Sequence, residues 1–159
     1  MENGRKKIVI GIDPGQAGGF ALYAGGDTVE TYKMPETFPD IFAFLRGVRE
    51  RNYDDDLLAV MEDVGHGMPG QSSSATAKFA RHNGHLEMAL YALGIRTEKV
   101  TPQKWQKAFS NSIGKSSQYE KREWKNRLKS LAQQMFPSVK VTLNTADAIL
   151  IAAYGAKKR

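Results

Sequence analysis

An α/β domain is what the sequence predicts, and three observations predict it. Short apolar runs with the alternation of strands open the chain at Ile8–Asp13 and Gly18–Ala24 and return at Leu57–Val64. Between and after them lie longer runs with apolar residues three and four apart, as amphipathic helices require. Two of the strand runs break into an acid at their far end, at Asp13 and at Glu62. In open α/β sheets the carboxyl ends of the strands are where sites form.

A chain of 159 residues, 41% hydrophobic and 25% charged, suits one soluble domain spanning residues 1–159. It holds no cysteine, which excludes disulfides and thiolate metal sites and suits a reducing compartment, the cytoplasm. No apolar run is long enough to span a bilayer, and the polar start MENGRKK leads into a strand rather than a secretory signal. The net charge of +6 is unevenly spread. Residues 1–95 carry 9 basic and 13 acidic side chains, whereas residues 96–159 carry 14 basic and 4 acidic ones. The second part can present a basic surface to a polyanion, although a basic tail on an ordinary enzyme would read the same way.

In the first strand Ile8, Ile10 and Ile12 alternate with Val9, Gly11 and Asp13, so both faces are apolar until the end. A buried carboxylate without a partner is costly, so Asp13 calls for a metal or another cation. The plainer reading is that Asp13-Pro14-Gly15 merely opens a turn. Gly18 starts the returning strand of a hairpin, and Thr28–Met34 alternates as a third strand. Ile41, Phe42, Phe44, Leu45 and Val48 predict a helix from Pro39 to about Arg51, followed by a solvated turn at Asn52–Asp56. In Leu57–Val64, Glu62 and Asp63 are adjacent and so point to opposite faces; only one can join Asp13. Glu62 is taken as that one, with Asp63 pointing away.

Gly65–Ser74 reads as a loop and Ser74–Leu93 as a helix with a core stripe of Ala75, Phe79, Leu86, Leu90 and Leu93. Lys78, Arg81, His82 and His85 form a cationic stripe, and the histidines read as a solvated face rather than as metal ligands. Gly84 in mid-helix suggests close packing or close ligand approach. Gly94 caps that helix, and Ile95–Val100 is a short strand. Thr101 and Pro102 supply an N-cap and a first helical position, opening a short helix through Trp105 and Phe109. Asn111–Ser117 reads as a mobile polar loop. Gln118–Met135 is a basic helix, packed on one side through Trp124, Leu128, Leu131 and Met135. The last helix spans Asn144–Gly155 with Ala146, Ile149, Leu150 and Ala153 inward, and Lys157–Arg159 reads as a frayed tail. Asp147 falls in its first turn, where the helix dipole alone would favour a carboxylate, and Asn144 shares its face.

Asp13, Glu62 and Asp147 thus stand out as acids embedded in apolar sequence. Hard carboxylate oxygens without cysteine suit Mg²⁺ or Mn²⁺. Two such ions would clamp the attacking and leaving oxygens of a phosphodiester displacement, with the basic half of the chain contacting phosphates. Candidate phosphate contacts are Lys78, Arg81, His82, His85, Lys115, Lys121, Arg122 and Lys125, and the loop His66–Ser74 is a candidate for the centre of a branched substrate.

In order along the chain, GIDPGQAGGFALY, VMEDV, HGMPGQSSS followed by KFARHNGHLEMAL, VTPQKWQKAF and NTADAILIAAYG resemble the RuvC-type Holliday junction resolvases, in their bacteriophage-like branch. The resemblance covers nearly the whole chain. It implies an RNase H-like domain with a mixed central sheet flanked by helices. It also implies a divalent-metal endonuclease that resolves four-way DNA junctions by paired symmetric nicks, leaving 5′-phosphate and 3′-hydroxyl ends. By the same resemblance Asp13, Glu62 and Asp147 are the catalytic metal ligands, with two Mg²⁺ per site and Mn²⁺ able to substitute, in a cytoplasmic homodimer of a bacterial cell or phage-infected host. RuvC has a fourth acid three residues before the last one, where this sequence has Asn144; its carbonyl oxygen can ligate, but it brings no charge.

Three other readings stay open at this point. A broader nuclease of the same fold would cut flaps and branches as well. A junction-binding protein with a weakened site has Asn144 as its support. A sugar-kinase or actin-like ATPase also begins with a strand, an Asp and a glycine turn. That class needs a second similar domain and a second glycine-rich phosphate loop, which the sequence lacks, so no nucleotide cofactor is expected. Met88 and Tyr91 are candidate dimer contacts or core residues.

Overall fold

The computed structural model describes residues 4–65 and 70–159. Part of the loop assigned to the substrate centre, residues 66–69, lies outside them. Five strands form one mixed sheet in the order β3-β2-β1-β4-β5. They are β1 (Lys7–Asp13), β2 (Gly19–Tyr23), β3 (Glu30–Lys33), β4 (Asp56–Glu62) and β5 (Arg96–Val100). β1 pairs antiparallel with β2, placing Asp13 opposite Gly19. β1 pairs parallel with β4, with Ile12 opposite Met61, so one residue on Asp13 and Glu62 end neighbouring strands side by side.

Pleating sorts the side chains. Ile8, Ile10, Ile12, Leu57, Ala59 and Met61 pack on one face of the sheet, under helices α1 (Phe38–Arg51) and α2 (Ser73–Ala92). Val9, Leu58 and Val60 face the other way, toward α3 (Pro102–Lys107), α4 (Ser110–Ile113), α5 (Lys121–Met135) and α6 (Ala146–Lys157). Asp13 and Glu62 follow Val9 and Val60 by even steps and therefore belong to the α6 face.

Helix α6 is apolar nearly all round: besides the predicted inward residues, Ala148, Ile151, Ala152 and Tyr154 are buried. A helix of that kind belongs in an interior, and α6 lies between the sheet and α5. It sits directly on β1. A Cβ added at Gly11 would collide with backbone atoms of Ala148 and Ala152, and one at Gly155 would collide with Val9 and Val60.

Several expectations change. The tail is not frayed: α6 continues to Lys157, and the Arg159 guanidinium forms a salt bridge with Asp56 at the start of β4. The polar loop at 111–117 is partly helical, because Ile113 is buried and closes α4, and Ser116–Gln118 form a 3-10 turn. Helix α5 starts at Lys121 rather than Gln118. Gly84 is exposed, and a Cβ there would meet nothing within 4 Å, so its presence does not reflect tight packing within the chain. Met88 and Tyr91 are 62% and 81% exposed, so neither is core. No helix among the described residues is long and apolar enough to cross a membrane.

Gly11→Ala should cost about 1–3 kcal/mol of stability by urea unfolding, as overpacking in a close-packed interior does. Gly84→Ala should instead stabilise by up to about 1 kcal/mol, since helix propensity is the only term that changes there.

Candidate active site

Each of the three acids reaches the site by a different local cause. β1 delivers Asp13, after which Pro14 and a glycine turn with Gly15 at φ +104° reverse the chain. β4 delivers Glu62, the last residue of a strand otherwise buried. α6 delivers Asp147 from its first turn, one residue past the start set by the N-cap Thr145. All three line one cavity of about 750 Å³, together with Asn144, Lys121 and Lys125.

The carboxylates are desolvated and crowd one another. Burial raises the Asp13 pKa well above its ordinary value, the charges of Asp147 and Glu62 raise it further, and Lys125 opposes them. Burial pushes Glu62 up to about 7, against the hydrogen bond from Trp105 and with the help of Asp147. Asp147 rises to about 6 through burial, with Lys125 opposing. Among the described residues none of the three forms a salt bridge. Such a set gains from a shared cation, and its donors are the hard oxygens that divalent ions of the Mg²⁺ class prefer. Among the described residues no three Asp, Glu or His side chains stand together as ligands of one ion. The chemistry of the donor set, carboxylate oxygens without sulfur, fits a divalent metal.

Asn144 is beside Asp147 as expected, but its amide has another task. Its Nδ2 donates to the carbonyl of Ala17, 2.8 Å away, tying the glycine turn after β1 to the start of α6. An aspartate in its place has no hydrogen to donate. Oδ1 is the atom left to Asn144 for a cation. Asp63 does not line the cavity; its Oδ1 accepts from the Gly65 amide in a local turn.

Of the candidate phosphate contacts, Lys121 and Lys125 open onto the cavity. Lys78, Arg81 and Arg122 are exposed but do not line it. Lys115 lines a separate hollow with Ser116, Ser117 and Trp124. The two histidines are not on that surface. His82 is 5% exposed, and burial, with His85 nearby, lowers its pKa. The ring of His85 stacks on Phe38 at 3.6 Å between centroids. α2 therefore turns its histidines toward α1, while Phe79, assigned to the core stripe, sits at the cavity against Gly15.

Sequence reasoning missed Trp105. Its indole Nε1–H donates to Glu62 Oε2 at 2.6 Å, inside the core. The available signal was that a buried indole N–H needs an acceptor.

No protein-family model matches the sequence, and no curated protein does. Among solved structures the chain is similar to RuvC of Thermus thermophilus, at 18% identity and a TM-score of 0.63, over 95% of this chain and 96% of that one. It is similar as well to T. thermophilus RuvC in complex with a Holliday junction substrate, at 18% identity and a TM-score of 0.62, over 96% of each chain. The chain therefore has the RuvC fold, an RNase H-like α/β fold with a mixed five-stranded sheet.

The raised carboxyl pKa values have a signed consequence. A carboxyl with a higher pKa folded than unfolded binds its proton more readily in the native state, so native stability falls as pH rises through the interval. For Glu62 that interval runs from 4.5 to about 7, and for Asp147 from 3.8 to about 6. In chelator, the thermal midpoint should decline across this range. Mg²⁺ should restore it at the upper end and do little at the lower end. A midpoint indifferent to Mg²⁺ at the upper end would contradict the crowding of uncompensated acids.

Proposed function

We propose that the protein is a divalent-metal-dependent, structure-selective DNA endonuclease that resolves four-way junctions by paired symmetric nicks. The observation that carries the reading is the convergence, within the RuvC fold, of three desolvated carboxylates, without salt-bridge partners among the described residues, on a cavity edged by Lys121 and Lys125. Asp13, Glu62 and Asp147 would hold the ions, Mg²⁺ or Mn²⁺, with Asn144 contributing Oδ1. When bound there, the ions supply Lewis-acid charge for in-line displacement at phosphorus by water, leaving 5′-phosphate and 3′-hydroxyl ends.

The chain's own groups do the rest. Lys121 and Lys125, one turn apart on α5, face the cavity and would take the scissile strand's phosphates. Lys78, Arg81, Lys115 and Arg122 are exposed and would extend that contact along the arms. The tie from Asn144 to Ala17 holds the turn that presents Asp13. A four-way junction has two-fold symmetry and needs two cuts, which a symmetric homodimer with two sites provides. The place of action would be the cytoplasm of a bacterial cell or phage-infected host, where such DNA is found.

A second reading is favoured by one observation. Position 144 brings no negative charge and its amide is committed to Ala17, so the site is electrostatically weaker than one with four acids. The protein would then bind junctions and cleave them slowly, or cut flaps and other branches without strong preference.

A gel with a mobile four-way junction, a flap and a plain duplex, each with Mg²⁺, Mn²⁺ or chelator, separates these. Paired, ligatable nicks confined to the junction are expected. Equal cutting of the flap supports the broader nuclease, and binding without cutting under either metal supports the weakened site.

Asp13→Asn is expected to reduce cleavage to background while junction affinity holds or rises, because a charge that repels phosphate is gone. Cleavage at the unsubstituted rate would remove Asp13 from the catalytic set.

A further inference from the structure

The contact between Trp105 and Glu62 joins residues 43 positions apart and is a buried side-chain hydrogen bond. Trp105 is 0% exposed and Glu62 7% exposed. The path that brings them together is short. Glu62 lies opposite Val100 across the β4–β5 pair. The Asp63 amide donates to the Val100 carbonyl and locks the two strand ends together. Thr101 then caps α3, its side chain accepting from the Lys104 amide, with Pro102 in the first turn. One turn of helix returns Trp105 over the end of β4. The ring is held besides by Phe109, edge-on at 6.5 Å between centroids.

A buried indole could satisfy its N–H on a backbone carbonyl. Here it takes the carboxylate that opens on the cavity. The identity of the donor matters. An Arg or Lys would cancel the charge of Glu62 and compete with any cation for it. The indole is neutral: it fixes an oxygen and leaves the full negative charge available.

We infer that Trp105 is a positioning residue for Glu62, holding Oε2 so that Oε1 is presented to a divalent cation in the cavity. This rests on the metal-site reading given above. Groups that orient a metal ligand from behind typically change ion affinity by about 10- to 100-fold when removed.

The test compares Mn²⁺ binding, followed by electron paramagnetic resonance, in the unsubstituted protein, Trp105→Phe and Glu62→Gln. Trp105→Phe keeps an aromatic ring in the core and removes the N–H. Its Mn²⁺ affinity should fall about 10-fold or more, with the far-ultraviolet circular dichroism in chelator unchanged. A second measurement needs no change at position 105. In ¹⁵N-labelled protein the Trp105 indole N–H resonance, assigned by its persistence in Trp124→Phe, should move on Mg²⁺ titration and saturate with ion binding. A still indole resonance during ion binding overturns the inference, as does unsubstituted Mn²⁺ affinity in folded Trp105→Phe; in both cases Glu62-dependent binding leaves the metal-site reading standing. Absence of Mn²⁺ binding in the unsubstituted protein overturns both.

Discussion

The bare backbone contact between α6 and β1 is the constraint on which the site depends. At Gly11 the strand has no side chain, and the helix answers with Ala148 and Ala152, so the two backbones meet without an intervening layer. That proximity places Asp147, in the first turn of the helix, beside the end of the strand that carries Asp13. Any larger residue at this seam would lift α6 off the sheet and move one acid away from the other two. The seam lies amid a continuous apolar cluster from α3 to α6 and four strands, and this burial offsets the repulsion of the carboxylates at its edge.

The two parts of the chain contribute unlike things to the cavity. The acidic first part builds the strands whose ends carry Asp13 and Glu62; the basic second part wraps α5 alongside and supplies Lys121 and Lys125. Lys125 stands near enough to Asp13 and Asp147 to oppose the rise of both pKa values, yet forms no salt bridge with either. Positive charge is thus present around the acids without occupying them.

Much of this was legible in the sequence, because it follows from local rules. Strand alternation alone separated Glu62 from Asp63, and in the structure Glu62 lines the cavity while Asp63 does not. Thr101-Pro102 and Gly94 marked their helix ends correctly. What was not legible depends on contacts between distant residues. The assignment of His82 and His85 to a solvated stripe failed because α2 is packed against α1 along an arc that its weak apolar pattern does not reveal. Trp105 and Glu62 are 43 residues apart, and Asn144 and Ala17 are 127 apart; no spacing rule links them. The proposed metal ligands came from the resemblance and from acids out of place in apolar runs; the contacts that support them came only from the fold.

The salt bridge between Arg159 and Asp56 gives α6 and β4 a common origin. Asp56 opens β4 and Glu62 closes it; Arg159 follows α6 and Asp147 lies at its other end. Six strand steps cover about 20 Å at ~3.3 Å each, and twelve helical steps cover about 18 Å at ~1.5 Å each. Strand and helix run in opposite directions over matched lengths, so they act as a gauge that sets one acid level with another. A single residue inserted in either element would break the match: in the helix it would swing Asp147 by about 100°, and in the strand it would turn Glu62 to the wrong face. An added residue would be accommodated instead in a turn such as Gly25-Gly26, where nothing lies within 4 Å of an added Cβ.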